Sequence, residues 1–153
     1  MVEFVKPTVE LIEKIAADMR DEDVAEIWAS HHHTPLESLM SGWEVSDLST
    51  IVMGDDEPLV MFGLVKKDIL SGSGTVWLLG ANRAMQYKRE FLTQSKPVID
   101  EMLTICPRLC NMVHAKNKTS IRWLRWLGFT IEEPTQQGPD KELFHRFHLE
   151  RCD

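Results

Sequence analysis

Apolar positions change their period several times along the chain, and each change marks an element boundary. VEFVKPT reads as a short strand ending at Pro7. Thr8 then precedes VELIEKIAADM, in which Val9, Ile12 and Ala16, joined by Leu11 and Ile15, recur at helical spacing. A second helical stretch starts near Asp21 or Asp23 and turns Val24, Ile27 and Trp28 inward. After SHHHTP, the run PLESLMSGW predicts another short helix with Pro35 in its first turn. From residue 48 the pattern becomes that of strands: LSTIVMG, an acidic turn DDEP, and LVMFGLVKK form an antiparallel hairpin. SGSG at 71–74 punctuates it, and TVWLLG is a third strand.

Residues 81–109 turn amphipathic, with a break predicted at Pro97, where Ser95 caps a fresh helix running through VIDEMLTI to Cys106. CNMVHA alternates as a strand does. In NKTSIRWLRWLGF, Lys118, Arg122 and Arg125 share one narrow arc, while Ile121, Trp123, Leu124, Trp126 and Leu127 fill most of the remaining circle. The spacing predicts a mostly buried helix, N-capped by Asn117 or Thr119 and stopped by Gly128 in a left-handed conformation. GFTIEEP, a loop TQQGPDKE, and LFHRFHLE, with Leu143, Phe147 and Leu149 inward, complete the chain. The order β, α, α, β, β, β, α, β, α, β, β predicts an α/β layer architecture in one domain spanning 1–153.

Composition narrows the function classes. The 153 residues are 43% hydrophobic, which suits an ordinary core needing no disulfide or metal staple. Lys plus Arg total 17 against 24 Asp plus Glu, and the net charge of −7 disfavours nucleic acid and anionic membrane as partners. Cys106, Cys110 and Cys152 are an odd number without Cys-x-x-Cys spacing, so free thiols in a reducing, cytoplasmic setting are expected. No signal-like or membrane-spanning apolar run is found in the sequence.

The stretch CNMVHAKNKTSIRWLRWLGFTIEE resembles the C-terminal motif of the GCN5-related N-acetyltransferase superfamily: a strand, an Asn, a helix, and Gly-Phe opening the next strand. The element order is similar over nearly the whole chain, while the specific match lies at about residues 109–133. The layout most resembles the small acetyltransferase-like internal virion proteins of short-tailed phages. The resemblance implies a single mixed, mostly antiparallel sheet with helices on both faces. TVWLLG and CNMVHA would form a parallel, splayed pair at its centre, joined by a helical crossover. It also implies acetyl-CoA as acyl donor, with pantetheine contacts from the backbone of Leu78, Leu79 and Gly80 and from Asn117. Two positions depart from the superfamily pattern. The glycine-rich phosphate loop is replaced by ANRAMQYKREF, and the proton-donating tyrosine of many catalytic members falls at Leu124, which is expected to face the core and not the cleft.

Candidate chemistry follows from side chains near these places. Without the glycines, Arg83, Lys88, Arg89 and Lys96 would meet the cofactor's phosphates as charges, or else form a solvated basic face. His31, His32 and His33 are consecutive, so they cannot converge on one metal from a regular element. Either they end a helix in solvent, or His32 or His33 acts as general base toward an amine acceptor. The two functions in view are an acyl-CoA-dependent N-acetyltransferase, placed in a cytoplasm, and a non-catalytic phage protein. The second would use the fold to bind a protein partner in virion assembly, in host cytoplasm or virion, with Met85 or Tyr87 filling the cleft.

Overall fold

The computed structural model describes residues 2–152. In chain order the elements are β1 (Val2–Val5), α1 (Val9–Ala17), α2 (Asp21–His31), α3 (Pro35–Val45), β2 (Leu48–Gly54), β3 (Glu57–Asp68), β4 (Ser73–Gly80), a 3₁₀ turn (Asn82–Tyr87), α4 (Lys88–Ile105), β5 (Arg108–His114), α5 (Lys118–Leu127), β6 (Thr130–Gln137) and β7 (Glu142–Glu150). The seven described strands form one sheet in the order β1-β2-β3-β4-β5-β7-β6, antiparallel throughout except between β4 and β5. The mixed sheet with a central parallel pair is therefore present as expected, and the α4 crossover makes the parallel pairing possible.

Strand alternation sends side chains to two separate cores. Val60, Phe62 and Leu64 of β3 point to the layer of α4 and α5, while Met61 points to the layer of α1, α2 and α3 with Ile51 and Leu79. Caps fix the helices on both layers. Thr8 accepts the Leu11 N–H, and Thr34 with Glu37 forms a reciprocal capping box ahead of Pro35. At the end of α5, Gly128 has φ of 102°, its N–H bonds the Arg125 carbonyl, and the Phe129 N–H bonds the Leu124 carbonyl. This is the helix stop that the glycine predicts, satisfying two otherwise free carbonyls.

Four local expectations are corrected. Trp28 is half exposed, and the buried positions on α2 are Asp23, Ile27 and Ala29. α4 runs unbroken through Pro97; the proline forfeits one bond, to Thr93, yet Ile99, Met102 and Leu103 anchor the following turns in the core. Ser95 accordingly caps nothing: its hydroxyl donates to the Phe91 carbonyl and accepts from Trp123 Nε1 at 3.2 Å. On α5, Ile121, Leu124 and Leu127 carry the burial, about 1.5–3 kcal/mol each, whereas Trp126 lies outside, its ring 5.6 Å from Lys96 Nζ. Lastly, β6 continues through Pro134 by means of an irregularity between Ile131 and Pro134, which an edge strand tolerates.

Candidate active site

β4 and β5 pair over three rungs only, Ser73 with Arg108, Gly74 with Leu109 and Thr75 with Cys110, and then part. The strands on their outer sides hold them in this divergence, because β4 stays paired with β3 and β5 with β7 to their ends. A wedge opened in a sheet exposes backbone donors and acceptors that must be satisfied. At its apex the Asn111 amide substitutes for the missing rung: Nδ2 donates to the Val76 carbonyl at 2.7 Å, and Oδ1 accepts the Met112 N–H at 2.7 Å.

At the mouth, α2 supplies the partners. Asp23 Oδ2 accepts the Gly80 N–H at 2.9 Å, the Gly80 carbonyl accepts the Arg20 N–H at 3.0 Å, and Glu26 Oε1 accepts the His114 N–H at 2.8 Å. Alternate residues of a strand face the same neighbour. Val76 and Gly80 both face the wedge, so Leu78 between them does too. Its N–H and C=O are the pair on β4 that neither Asn111 nor α2 occupies.

The two carboxylates of α2 are cross-linked by one buried amide. Asn117 Nδ2 lies 3.4 Å from Asp23 Oδ1 and 3.3 Å from Glu26 Oε1, while its Oδ1 accepts from Arg20 Nη2 at 3.4 Å and from the Ser120 N–H at 3.4 Å. Arg20 Nη1 is 3.7 Å from Asp23 Oδ1. Its Nη2 lies 3.2 Å from Glu22 Oε2, so one guanidinium pairs with two carboxylates, Asp23 and Glu22. Burial, and then the neighbouring Asp23 charge, push the Glu26 carboxyl up to about 7 against the bonds it accepts from His114 and Asn117. Burial also raises Asp23, although Arg20 opposes the shift. The buried His114 ring is bonded through Nε2 to Glu142 Oε1 at 2.8 Å. An acid that exchanges its proton near neutrality therefore stands at the open end of the wedge.

On the other face of the sheet a largely apolar cavity of about 130 Å³ opens between α4 and α5 and the diverging strands. Val76, Leu78, Val113, Phe91, Trp123 and Leu124 border it, with Asn111 at its polar edge. Leu124 was expected to turn away from the cleft. It is buried with Leu127 and also forms part of this wall, because the cavity lies directly beneath the core-facing side of α5. Met85 is exposed and the Tyr87 hydroxyl bonds the Asp55 carboxylate, so neither side chain fills the cavity.

The other anticipated residues are dispersed. Leu79 points into the α1–α3 core, and Gly80 is held by α2. Arg83 turns back from the expected phosphate position: it donates to the Pro58 carbonyl at 2.9 Å and lies 3.4 Å from Asp18 and 3.9 Å from Glu57. Lys88 and Arg89 open α4, whose N-terminus has no side-chain cap. His32 adopts a left-handed conformation at the end of α2, stacks on Trp28, and bonds Asp140 at 2.9 Å; His33 stacks on His31. Burial holds His31 below its ordinary range, helped by the His33 charge. Of the anticipated residues, Asn117 joins the cluster at the wedge mouth, and Leu78 and Gly80 face the wedge from β4. Among the described residues no group of His, Cys, Asp or Glu is arranged to hold a metal, and no helix is long and apolar enough to cross a membrane.

Asp23, Glu26, Arg20 and Asn111 were not anticipated. Their signal was available as polar residues inside apolar patterns: Asp23 shares the arc of Ile27 at i,i+4, and Asn111 interrupts the strand CNMVH.

This architecture is the acetyltransferase fold. The Brucella melitensis ribosomal-protein-alanine N-acetyltransferase structure is similar with a TM-score of 0.73 at 14% identity, covering 97% of this chain and 99% of that one. The spermidine N-acetyltransferase from Vibrio cholerae in complex with CoA and spermine is similar with a TM-score of 0.70 at 12% identity, covering 97% of this chain and 95% of that one. Ard1 from Thermoplasma volcanium gives a TM-score of 0.66 at 12% identity, with 99% of each chain covered. No protein-family model matches the sequence, and no curated protein matches it.

Proposed function

We propose that this protein is an acyl-CoA-dependent N-acyltransferase that uses Glu26 as its general base. The observation carrying the proposal is the juxtaposition of the Leu78 backbone pair in the wedge with a carboxyl titrating at about 7 at the wedge mouth. An extended, amide-bearing arm can add to β4 at Leu78 as a strand would, its apolar portions resting on the cavity wall. The likeness to an acetyltransferase solved with CoA supports acetyl-CoA as the donor.

Lys88 and Arg89, at the uncapped start of α4, are the side chains offered to its phosphates, in place of the glycine-rich loop. Glu26 takes a proton from the acceptor ammonium, and the free amine attacks the thioester carbonyl. The new C–N bond forms as the C–S bond breaks, and the thiolate leaves with the proton shed by the amide nitrogen. The base role expected of His32 or His33 passes to Glu26 in this proposal. His32 lies about 9 Å further along α2, six residues at 1.5 Å each, where it latches the β6–β7 hairpin through Asp140.

Titration calorimetry with acetyl-CoA at low and moderate ionic strength tests the donor site. Saturable binding that weakens with salt and with the Lys88→Ala, Arg89→Ala double substitution is expected. No heat at millimolar ligand in low salt overturns the proposal. With an amine acceptor established, Glu26→Gln should lower turnover about 100-fold or more while leaving acetyl-CoA binding intact. One observation favours a second reading: Arg83 is spent on Asp18, Glu57 and Pro58, leaving fewer charges for a phosphate. A blank titration would leave the fold serving as a non-catalytic module in phage virion assembly, as the resemblance to internal virion proteins implies.

A further inference from the structure

The β3–β4 hairpin ends in two aliphatic side chains, Ile69 and Leu70, each 98% exposed. The turn that displays them is built and not slack. Asp68 Oδ1 accepts the Leu70 N–H at 2.9 Å, the Gly72 N–H bonds the Asp68 carbonyl at 2.9 Å, and Gly72 takes φ of 71°. Ser71 Oγ accepts the Ser73 N–H at 3.3 Å, and the bonds from the Ser71 hydroxyl and then the Leu70 N–H hold the Asp68 carboxyl below its usual range. Lys66 and Lys67 stand at the base of this tip, in a chain whose net charge is −7. Two fully exposed aliphatics on a pinned turn cost solvation unless something covers them.

A complementary surface is present on the same molecule. The outer side of α3 carries a shallow groove floored by the half-buried Met40 and Trp43 and edged by Glu37, Glu44, His33 and Ser41. Glu37 is held ionised by the bonds it accepts at the Thr34 cap, so the groove keeps negative charge at its rim. The groove matches the tip in both respects, apolar floor to aliphatic pair and glutamates to lysines. The Lys66 N–H bonds the Asp47 carboxylate just beyond the end of α3, at 2.8 Å, so the base of the tip adjoins the end of the helix that carries the groove. A two-fold contact would seat each tip in the other molecule's groove.

We propose that a second copy of this chain occupies the α3 groove, its Ile69–Leu70 tip on Met40 and Trp43 and its Lys66 and Lys67 facing Glu37 and Glu44. The contact is independent of the acyl-transfer reading, since neither surface includes a residue of the wedge. Sedimentation velocity over a wide range of protein concentration tests it. The wild type should pass from monomer to dimer as concentration rises, and Ile69→Ser with Leu70→Ser should stay monomeric with an unchanged circular dichroism spectrum. Lys67→Glu and Glu44→Lys should each weaken association about five-fold, and the two combined should recover it. A wild type that is monomeric throughout, including one that sediments with anionic vesicles instead, overturns the proposal. So does dimerisation unaffected by the Ile69, Leu70 substitution, or a charge reversal that its partner does not rescue.

Discussion

The two ends of the wedge solve one problem in different ways. At the apex a neutral amide from β5 itself, Asn111, replaces the lost rung and satisfies both strands from one side chain. At the mouth two carboxylates are brought from α2, 57 residues before Gly80 in one case and 88 before His114 in the other. The apex is local, uncharged and indifferent to pH. The mouth depends on the docking of a distant helix, concentrates charge in a buried place, and holds a proton near neutrality. The proposed chemistry is assigned to the mouth for that reason: a sheet can be opened with amides alone, and ionisable partners add a capacity that opening does not require.

Substitutions at the two ends should separate these roles, and the largest effect is expected at Arg20. Among the described residues it is the cation paired with the buried Asp23, so Arg20→Met leaves that carboxylate without a charge partner. A loss of about 3–5 kcal/mol is expected in urea unfolding near neutral pH, smaller in acid, where Asp23 is protonated. A pH-independent loss would mean that Arg20 acts through packing. At the apex, Asn111→Leu strands the Val76 carbonyl and the Met112 N–H, at about 1–3 kcal/mol. The loss should be equal in mild acid and mild base, and a pH-dependent one would show that the apex is coupled to the mouth.

The mouth should also write a slope into stability. Glu26 is raised from 4.5 to about 7 in the folded protein, so between those values the folded state binds more protons than the unfolded chain. Stability contributed by this group is therefore full below the unfolded value and is lost as pH rises toward about 7. The loss is at most about 3 kcal/mol and flattens above that pH. Asp23 shifts in the same direction and adds to the fall. Glu22, lowered by the bonds its carboxylate accepts and by Arg20, works oppositely, losing its contribution as pH drops through the acid range. Denaturation midpoints measured against pH should show the fall in the wild type and a shallower one in Glu26→Gln, which cannot ionise. An unchanged slope in that variant would assign the titration to another group.

The sequence made the architecture readable where pattern and local chemistry agree. Alternating strands, the Thr8 and Thr34 caps and the Gly128 stop each act within a few residues, and the crossover between TVWLLG and CNMVHA sets the parallel pair. The site was readable at Asn117, whose place ahead of the helix marks it, and along β4 at Leu78 and Gly80, which follow from the parallel pair. Asp23 and Glu26 were hidden because an acidic helix start, DED, ordinarily means a solvated turn favoured by the helix dipole. Only the tertiary docking of α2 against Gly80 and His114 turns those acids inward. Arg83 and Trp126 show the converse. A basic residue in the expected phosphate segment was claimed by nearby Asp18 and Glu57, and an aromatic at helical spacing fell outside the buried arc.

The smallest effect is expected away from both ends, where Lys96 of α4 lies over the Trp126 ring of α5 at 5.6 Å. These two helices wall the cavity, but this contact is on their outer surface, with Trp126 47% exposed. Water competes for the ammonium, so Lys96→Ala should cost about 0.5–1 kcal/mol. Because the pair touches neither Asn111 nor the α2 carboxylates, Lys96→Ala should shift the whole stability curve slightly and leave its pH slope as it was. Thermal midpoints of the variant at mild acid and mild base check this directly. A change of slope would mean that the α4–α5 wall sets the environment of Glu26, and that apex, mouth and cavity respond as one unit.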